Sequence, residues 1–296
     1  MLVLMINGCN GIKEKTMAYV EPIKSRKHLR YAEEYLKMNH DPTFTLIWKI
    51  GLETGLRISD ILSMKYSDIN YSMGRCEIIE SKGTLARKTK AKHKVLKKIK
   101  DELFLHYQGK PKKMTALYIT PYQYVNNLAP LTWQPMIDAR IKQAQDSVSP
   151  VIRRVYLSKE TVTILKKREN KYQYLHCDDI FNRRTLLSNR AKNKEGRLTR
   201  QACWHVFSKL TLVLKEIGVN VKVGCHSLRK SFARHLYFST GKDISMLMTT
   251  IGHQSERISL KYIGLSEDET EVAQKGLIRY FSMNFQSGEF DHVNEP

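Results

Sequence analysis

Long apolar runs are missing from this sequence. No run approaches the roughly 20 residues that a membrane-spanning helix needs. The opening residues, MLVLMI, are too short for a signal peptide and lack a basic leader. Internal repeats are absent, and the only low-complexity block is a lysine-rich run. We therefore expect a cytoplasmic protein that does not enter a membrane.

Paired cysteines are also missing. The five cysteines are odd in number and show no C-x-x-C spacing. This pattern predicts reduced thiols, with neither a disulfide framework nor a zinc site. Cys225 stands beside His226 and is either a catalytic thiol or a small buried residue before a helix. The buried residue is the favoured interpretation. We expect no metal and no cofactor.

Acidic residues are scarce relative to basic ones. The 296 residues include 50 Lys and Arg but only 29 Asp and Glu, a formal net charge of +21. Such an excess attracts polyanions, and each phosphate that it neutralises releases counterions. A merely soluble basic protein or a ribosome-associated one would share this charge, but nucleic acid is the favoured partner.

Two distant motifs contain the residue types that can attack a phosphodiester. Residues 54–60, TGLRISD, contain Arg57. Residues 224–264 contain His226 and Arg229, then His253 after a glycine, and Tyr262 nine residues after His253. Arginine offers a planar fork of donors to phosphate oxygens, and histidine moves protons near neutral pH. The tyrosine hydroxyl can form a covalent intermediate.

These motifs resemble those of the tyrosine recombinases, or phage-type integrases, which share their core with type IB topoisomerases. The family signature combines T-G-L-R-x-S-[DE] with H-x-x-R, then G-H, and a tyrosine nine residues later. The resemblance covers about residues 22–265 and implies a mostly α fold with a small antiparallel β-sheet. It also implies conservative site-specific DNA recombination. The alternatives are a type IB topoisomerase or telomere resolvase, and a DNA-binding regulator without catalysis.

The resemblance also implies a role for each site residue. Tyr262 would attack the scissile phosphate and leave a 3′-phosphotyrosyl link, while Arg57 and Arg229 neutralise the transition state. His226 would accept or orient the tyrosine proton, and His253 would donate to a non-bridging oxygen. The family uses a hairpin lysine as the general acid. Lys82, which follows a predicted strand at residues 76–79, is favoured for that role over Lys142.

An insertion separates the two strands of that predicted hairpin. Residues 81–83 are expected to form a turn, and the return strand is expected only at residues 151–157, so that about residues 84–150 are inserted. Residues 82–113 carry twelve Lys and Arg and two acids. This arm is either solvated and partly disordered or a contact for DNA phosphates, and the second is favoured. With a second basic stretch at residues 183–200, it supplies the expected DNA-binding residues, which are Lys88, Lys90, Lys92, Lys94, Arg197 and Arg200.

The domain organisation is expected to be short. We predict an N-terminal arm over residues 1–21, a catalytic domain over residues 22–265, and an acidic C-terminal helix and tail over residues 266–296. The family's N-terminal clamp domain is expected to be absent, as in the fimbrial phase-variation invertases. The tail packs on its own domain or, as the resemblance implies, on a neighbouring subunit. The expected partners are double-stranded DNA, three further copies on two DNA sites, and an accessory directionality or DNA-bending factor, in a nucleoid-associated protein of mobile-element type.

Overall fold

The computed structural model describes residues 20–107, 120–187 and 196–265, together with residues 271, 274–279 and 282. The chain divides into two compact units. We call Met1–Arg57 with Thr199–Pro296 the terminal unit, and Ile58–Leu198 the central unit. The predictions for residues 1–19 and for most of residues 266–296 lie outside the described residues.

The chain is mostly helical with a small antiparallel sheet, which confirms the predicted fold class. The strands are β1 (Ile69–Asn70), β2 (Arg75–Ile79) and β3 (Ile152–Tyr156). The helices are α1 (Arg26–Asn39), α2 (Pro42–Thr54), α3 (Ile58–Leu62), α4 (Ser81–His106), α5 (Pro121–Leu128), α6 (Gln134–Asp146), α7 (Lys159–Tyr172), α8 (Arg200–Glu216), α9 (Cys225–Ser239), α10 (Ile244–Ile251) and α11 (Glu256–Ile263).

Apolar packing in the terminal unit brings the second motif together. The buried Trp48 of α2 meets Phe207 of α8 edge-on, with ring centroids 5.7 Å apart. A second cluster joins three helices through four fully buried side chains, namely Ala233 of α9, Leu247 and Ile251 of α10, and Ile263 of α11. Burial of these side chains stabilises the unit and holds α10 and α11 against α9.

Gly55 ends α2 in a backbone conformation that a side chain disfavours. Its φ is +60°, and an added Cβ would lie 2.1 Å from Phe232 Cδ1. We expect Gly55→Ala to reduce the free energy of unfolding by about 2–5 kcal/mol, because left-handed strain and overpacking add. Urea unfolding monitored by circular dichroism measures this loss.

Gly241→Ala is the matched control for this substitution. Gly241 has a φ of +68°, but an added Cβ would meet nothing within 4 Å. Only the cost of the left-handed backbone applies there, about 1–2 kcal/mol. Equal losses in the two variants would show that the close approach of Phe232 to Gly55 has no energetic consequence.

The three strands form the sheet of the central unit, in the order β1-β2-β3. β2 pairs antiparallel with β3, with Cys76 opposite Val155 and Ile78 opposite Arg153. The two strands predicted from the sequence are therefore confirmed, and a long segment of chain connects them. Cys76, Ile78 and Val155 point to the buried face.

The turn predicted at residues 81–83 is wrong. These residues form the first turn of α4, and the carbonyl of Glu80 accepts from Thr84 N at 2.9 Å. The Asp60 carboxylate accepts a hydrogen bond from the backbone N–H of Ser81 at 3.2 Å. Backbone N–H groups in the first turn have no partner within the helix, so this contact stabilises the helix start. The helix formers Lys, Leu and Ala that follow outweigh the preference of Gly83 for turns.

The insertion folds as three helices around a core of its own. Six side chains of α4, α5 and α6 are buried together, and α5 lies in a part of the insertion for which the sequence predicts no element. Arg140 of α6 also pairs with Glu102 of α4 at 2.7 Å. The insertion is thus an ordered helical layer over its described length. Its core residues are Leu96, Ile99, Leu103, Tyr124, Val125 and Ile137.

Candidate active site

Helix α9 positions two of the predicted site residues. His226 is its second residue and keeps an exposed edge, whereas Arg229, almost one turn later, is only 1% exposed. Arg229 donates to the carbonyl of Gly55 at 2.8 Å and to that of Ile251 at 2.6 Å. The buried guanidinium therefore joins the turn that precedes Arg57 to the end of α10.

Tyr262 reaches the same place from α11. Its Oη lies 2.8 Å from Nε2 of His226, and the two rings meet edge-on with centroids 5.5 Å apart. The next residue, Ile263, is fully buried and anchors this end of α11 in the core. Tyr262 is therefore half-buried and in hydrogen-bond contact with a proton acceptor.

His253 also lies against the ring of Tyr262. Gly252 ends α10 with a φ of +74°, so both Gly252 N and His253 N donate to the carbonyl of Met248. The His253 ring centroid lies 4.8 Å from that of Tyr262, and its Nδ1 lies 3.1 Å from Oγ of Ser259. This contact fixes the orientation of the imidazole.

The electrostatic environment keeps His226 neutral. Burial, followed by the positive charges around it, lowers the pKa of His226 to about 4. A neutral imidazole at pH 7 has one ring nitrogen free to accept a proton. The contributing cations, largest effect first, are Arg229, Lys230, Arg200 and Arg57.

Tyr262 experiences opposing influences. Burial raises its pKa, while the charges of Arg229 and Arg57 and a hydrogen bond from Arg229 act to lower it. A buried phenol needs a base to lose its proton, and both cations stabilise the phenolate once it forms. Arg57, His226, Arg229, His253 and Tyr262 are thus brought to one site, as the two motifs predict.

Comparisons with known proteins identify the family. The model of the phage integrase family matches residues 31–269. The chain belongs to this family. The probable integrase/recombinase YoeC of Bacillus subtilis (strain 168) is 24% identical over 259 residues, which cover 88% of this chain and 97% of the relative. This integrase is therefore a site-specific recombinase of the tyrosine class, an enzyme that breaks and rejoins DNA strands.

Two solved structures are similar to this chain, and the one with a TM-score of 0.50 supports its fold. XerH site-specific recombinase bound to palindromic difH substrate, in a post-cleavage complex, has a TM-score of 0.50 at 16% identity, over 89% of this chain and 55% of that chain. XerA recombinase gives 0.49 at 16% identity, over 86% of this chain and 65% of that chain. This integrase spans less than two thirds of both solved chains.

The remaining predicted residues are distributed over both units. Lys82 is exposed on the first turn of α4, and Lys142 is exposed on α6, so both lysines belong to the central unit. Arg197, also in the central unit, pairs with Asp179 at 2.7 Å. Arg200 is the exposed first residue of α8 in the terminal unit. Lys88, Lys90, Lys92 and Lys94 all lie on α4.

Sequence reasoning missed two residues of this site. Ser259 is fully buried and lies beside His253, and Lys230 has its Nζ 5.6 Å from the ring centroid of Tyr262. The signal for Ser259 is its position three residues before Tyr262, which places it on the same face of α11. Burial raises the pKa of Cys225 to about 11, which agrees with its interpretation as a packed thiol.

Within the described ranges, no group of three or more His, Cys, Asp or Glu side chains is arranged to hold a metal ion. Among the helices that the structure describes, none is both long and apolar enough to span a bilayer.

Proposed function

We propose that Tyr262 is the nucleophile of DNA cleavage and that His226 is its general base. The observation that supports this is the 2.8 Å contact between the phenol oxygen and Nε2 of a neutral imidazole. In the tautomer that carries its proton on Nδ1, the imidazole accepts a hydrogen bond from the phenol at Nε2. The phenol passes its proton to Nε2 as it attacks. Arg229 donates to two carbonyls and hydrogen-bonds Tyr262, so its guanidinium lies beside the hydroxyl that attacks the phosphate.

The proposed step balances as a transesterification. The phenol oxygen bonds to phosphorus, the bond from phosphorus to the 5′ oxygen breaks, and a 3′-phosphotyrosyl ester replaces the phosphodiester. Religation by a 5′ hydroxyl is the reverse reaction, so the energy of the ester is conserved. We propose Lys82, with Lys142 as the alternative, to protonate the leaving 5′ oxygen, and His253 to donate to a non-bridging oxygen.

Trapping of the covalent intermediate tests this proposal. A duplex that carries a nick beside the cleavage site releases a short fragment after attack, so religation is prevented and protein stays attached to DNA. We expect an adduct that survives denaturation and disappears after protease digestion. A regulator without catalysis would bind the same duplex and give no adduct.

The low pKa of His226 predicts how the site responds to acid. We expect an NMR titration of this imidazole, assigned by comparison with His226→Gln, to show a midpoint near 4. The unfolded state binds this proton near pH 6.5, so folding stability decreases as the pH falls from 6.5 towards 4. His226→Gln should lose less stability over that window in thermal melts. A midpoint near 6.5 would contradict a neutral base held by burial and cations.

We propose that four copies of the chain assemble on two DNA sites, with an accessory directionality or DNA-bending factor. The support is family membership and the acidic residues 266–296, which carry seven acids and two bases on a basic protein. Of this tail the structure describes residues 271, 274–279 and 282, all helical. Deletion of residues 266–296 should leave single-site binding intact and reduce cooperative assembly in a gel-shift titration. Unchanged cooperativity would exclude docking of the tail on a neighbour.

A further inference from the structure

The exposed face of α4 carries a row of lysines. Lys90, Lys94, Lys97 and Lys98 are all exposed. At 100° per residue they lie within an arc of roughly 100°, and they span about 12 Å along the helix axis. The buried residues Leu96, Ile99 and Leu103 of α4 lie on the opposite side of the helix. We call these four residues the lysine row.

Other lysines of α4 have structural contacts. Lys92 Nζ lies 4.9 Å from the ring centroid of Tyr122, and Lys100 Nζ lies 5.1 Å from that of Tyr124. Lys88 is half-buried. Cation–π contacts of this kind pack the lysine stems against α5. Among the lysines predicted to bind DNA, Lys90 and Lys94 therefore belong to the row, and Lys92 belongs to the packed face.

The lysine row is neutralised only in part within its own helix, because Asp101 follows Lys97 and Lys98 by four and three residues. Lys90, Lys94 and Lys98 follow each other at intervals of four residues, where like charges repel and destabilise a helix. Of the two acids in α4, Glu102 pairs with Arg140, and Asp101 lies at the C-terminal end of the row. A polyanion bound along the row would relieve this repulsion and release counterions.

We propose that the lysine row binds the phosphate backbone of double-stranded DNA, as a contact that the helical insertion adds to this enzyme. The proposal rests on the proposed function for the identity of the polyanion. No Phe, Tyr or Trp occurs between Lys90 and Lys98, so the row offers no stacking platform for the bases of a single strand. Contacts from lysine to phosphate carry no sequence information, so the row adds affinity and salt dependence.

The dependence of DNA affinity on salt tests the lysine row. Substitution of all four lysines by glutamine, a good helix former, should reduce the slope of log affinity against log salt by about 3–4 units on duplex DNA. The matched control carries glutamine at four exposed lysines of α7, which are Lys159, Lys166, Lys167 and Lys171. The control has the same net charge and should change the slope by less than about one unit.

Three outcomes would overturn the proposal that the lysine row binds duplex DNA. These are an unchanged salt slope in the quadruple glutamine variant, an equal change of slope in the control, or a change that appears only on single-stranded DNA. Substitution of the four lysines by arginine should keep the wild-type slope. If the quadruple glutamine variant does not fold, Lys94→Gln tests the row by itself and should reduce the slope by about 0.9. Adduct formation by the wild type on the nicked duplex is scored separately. Its absence contradicts the proposed function and leaves the slope comparison valid.

A separate observation concerns residues 20–25, which we call the strap. The strap lies along α9, where Ile23 N donates to Oγ of the buried Ser231 at 2.8 Å. Lys230 Nζ donates to the carbonyl of Val20 at 2.7 Å. At the end of α11, an added Cβ on Gly264 would lie 3.1 Å from Cγ of Pro22. The strap therefore contacts both the helix that carries His226 and the residue that ends the helix of Tyr262.

The geometry points to Lys230 as a positioning residue for Tyr262, held in place by the strap. Its side chain is 6% exposed, and its ammonium lies 5.6 Å from the centroid of the Tyr262 ring. A cation over a phenol ring attracts its π electrons and orients the ring. The same charge favours the phenolate that must form during attack. This role also rests on the proposed function.

Comparison of Lys230→Met and Lys230→Arg tests this role. The methionine variant should form adduct roughly tenfold more slowly in single turnover, with unchanged DNA affinity and a rate profile moved to higher pH. The arginine variant should keep most of the wild-type rate. The phenol titration of Tyr262, taken as wild type minus Tyr262→Phe, should move to higher pH in Lys230→Met, whether or not the enzyme forms an adduct.

Two outcomes would overturn the role of Lys230. One is a wild-type rate, pH profile and phenol titration in the methionine variant. The other is equal impairment of both variants together with lowered melting temperatures, which indicates support of the fold only. If Lys230→Met does not fold, the rate and phenol titration of Lys230→Arg decide. In Lys230→Arg we expect a normal rate and a Tyr262 phenol that titrates at the wild-type pH. A phenol titration at higher pH would contradict the role of Lys230.

Discussion

Tyr262→Phe should abolish the covalent protein–DNA adduct while DNA affinity stays within about twofold of wild type. The substitution removes only the nucleophilic oxygen, and a phenyl ring can keep the edge-on contacts with His226 and His253. The lost contact is the 2.8 Å hydrogen bond between the hydroxyl and Nε2 of His226. Denaturing gels of the nicked-duplex reaction measure the adduct, and gel shifts measure affinity.

Tyr237→Phe is the matched control for this experiment. Tyr237 lies on α9 of the same unit and packs against the cluster that also contacts Tyr262. Its variant should form adduct at the wild-type rate. Residual adduct in Tyr262→Phe would move the nucleophile to another tyrosine, with Tyr237 as the first candidate and Tyr280, which lies outside the described residues, as the next.

Much of the site could be predicted from the sequence because its parts are local. The glycine before His253 ends α10 with a positive φ, and the nine-residue interval from His253 to Tyr262 is the short connection plus most of α11. Helix signals of this kind depend on neighbouring residues, so a motif fixes the local geometry. Tyr262 and His253 are therefore found without a structure.

The partners of Arg229 could not be predicted in the same way. Both acceptors are backbone carbonyls, and Gly55 is 174 residues away in the chain. A carbonyl acceptor exists at every residue, so its use leaves no mark in the sequence. The packing of Lys92 on Tyr122 could not be predicted either, since no element is predicted for the residues around Tyr122.

The turn predicted at residues 81–83 shows a different limit. Ser, Lys and Gly after a strand favour a turn by composition. The helix formers that follow and a tertiary contact together decide otherwise, since the Asp60 carboxylate accepts from Ser81 N at the start of the helix. As a result, the lysines that follow are ordered on helical faces. This order separates the lysine row from the lysines that pack on tyrosine rings.

Arg229→Ala should lower both catalysis and stability, whereas Arg57→Ala should lower catalysis with a smaller loss of stability. Each arginine stabilises the transition-state charge by about 3–4 kcal/mol. Its removal should therefore lower the cleavage rate by a factor of roughly 10²–10³. Arg229 is also buried on the carbonyls of Gly55 and Ile251, and its removal leaves both without these donors. That loss should reduce the free energy of unfolding by about 2–4 kcal/mol. Arg57 is half-buried, so water replaces part of its contacts.

Arg229→Lys separates charge from geometry. Lysine keeps the positive charge but lacks the planar fork that donates to two carbonyls and to a phosphate at the same time. The lysine variant should therefore recover less than about a tenth of the lost rate, measured in single turnover at saturating DNA and corrected for the folded fraction. A rate near that of wild type in Arg229→Lys would show that charge alone suffices. Normal cleavage by either alanine variant would remove that arginine from the site.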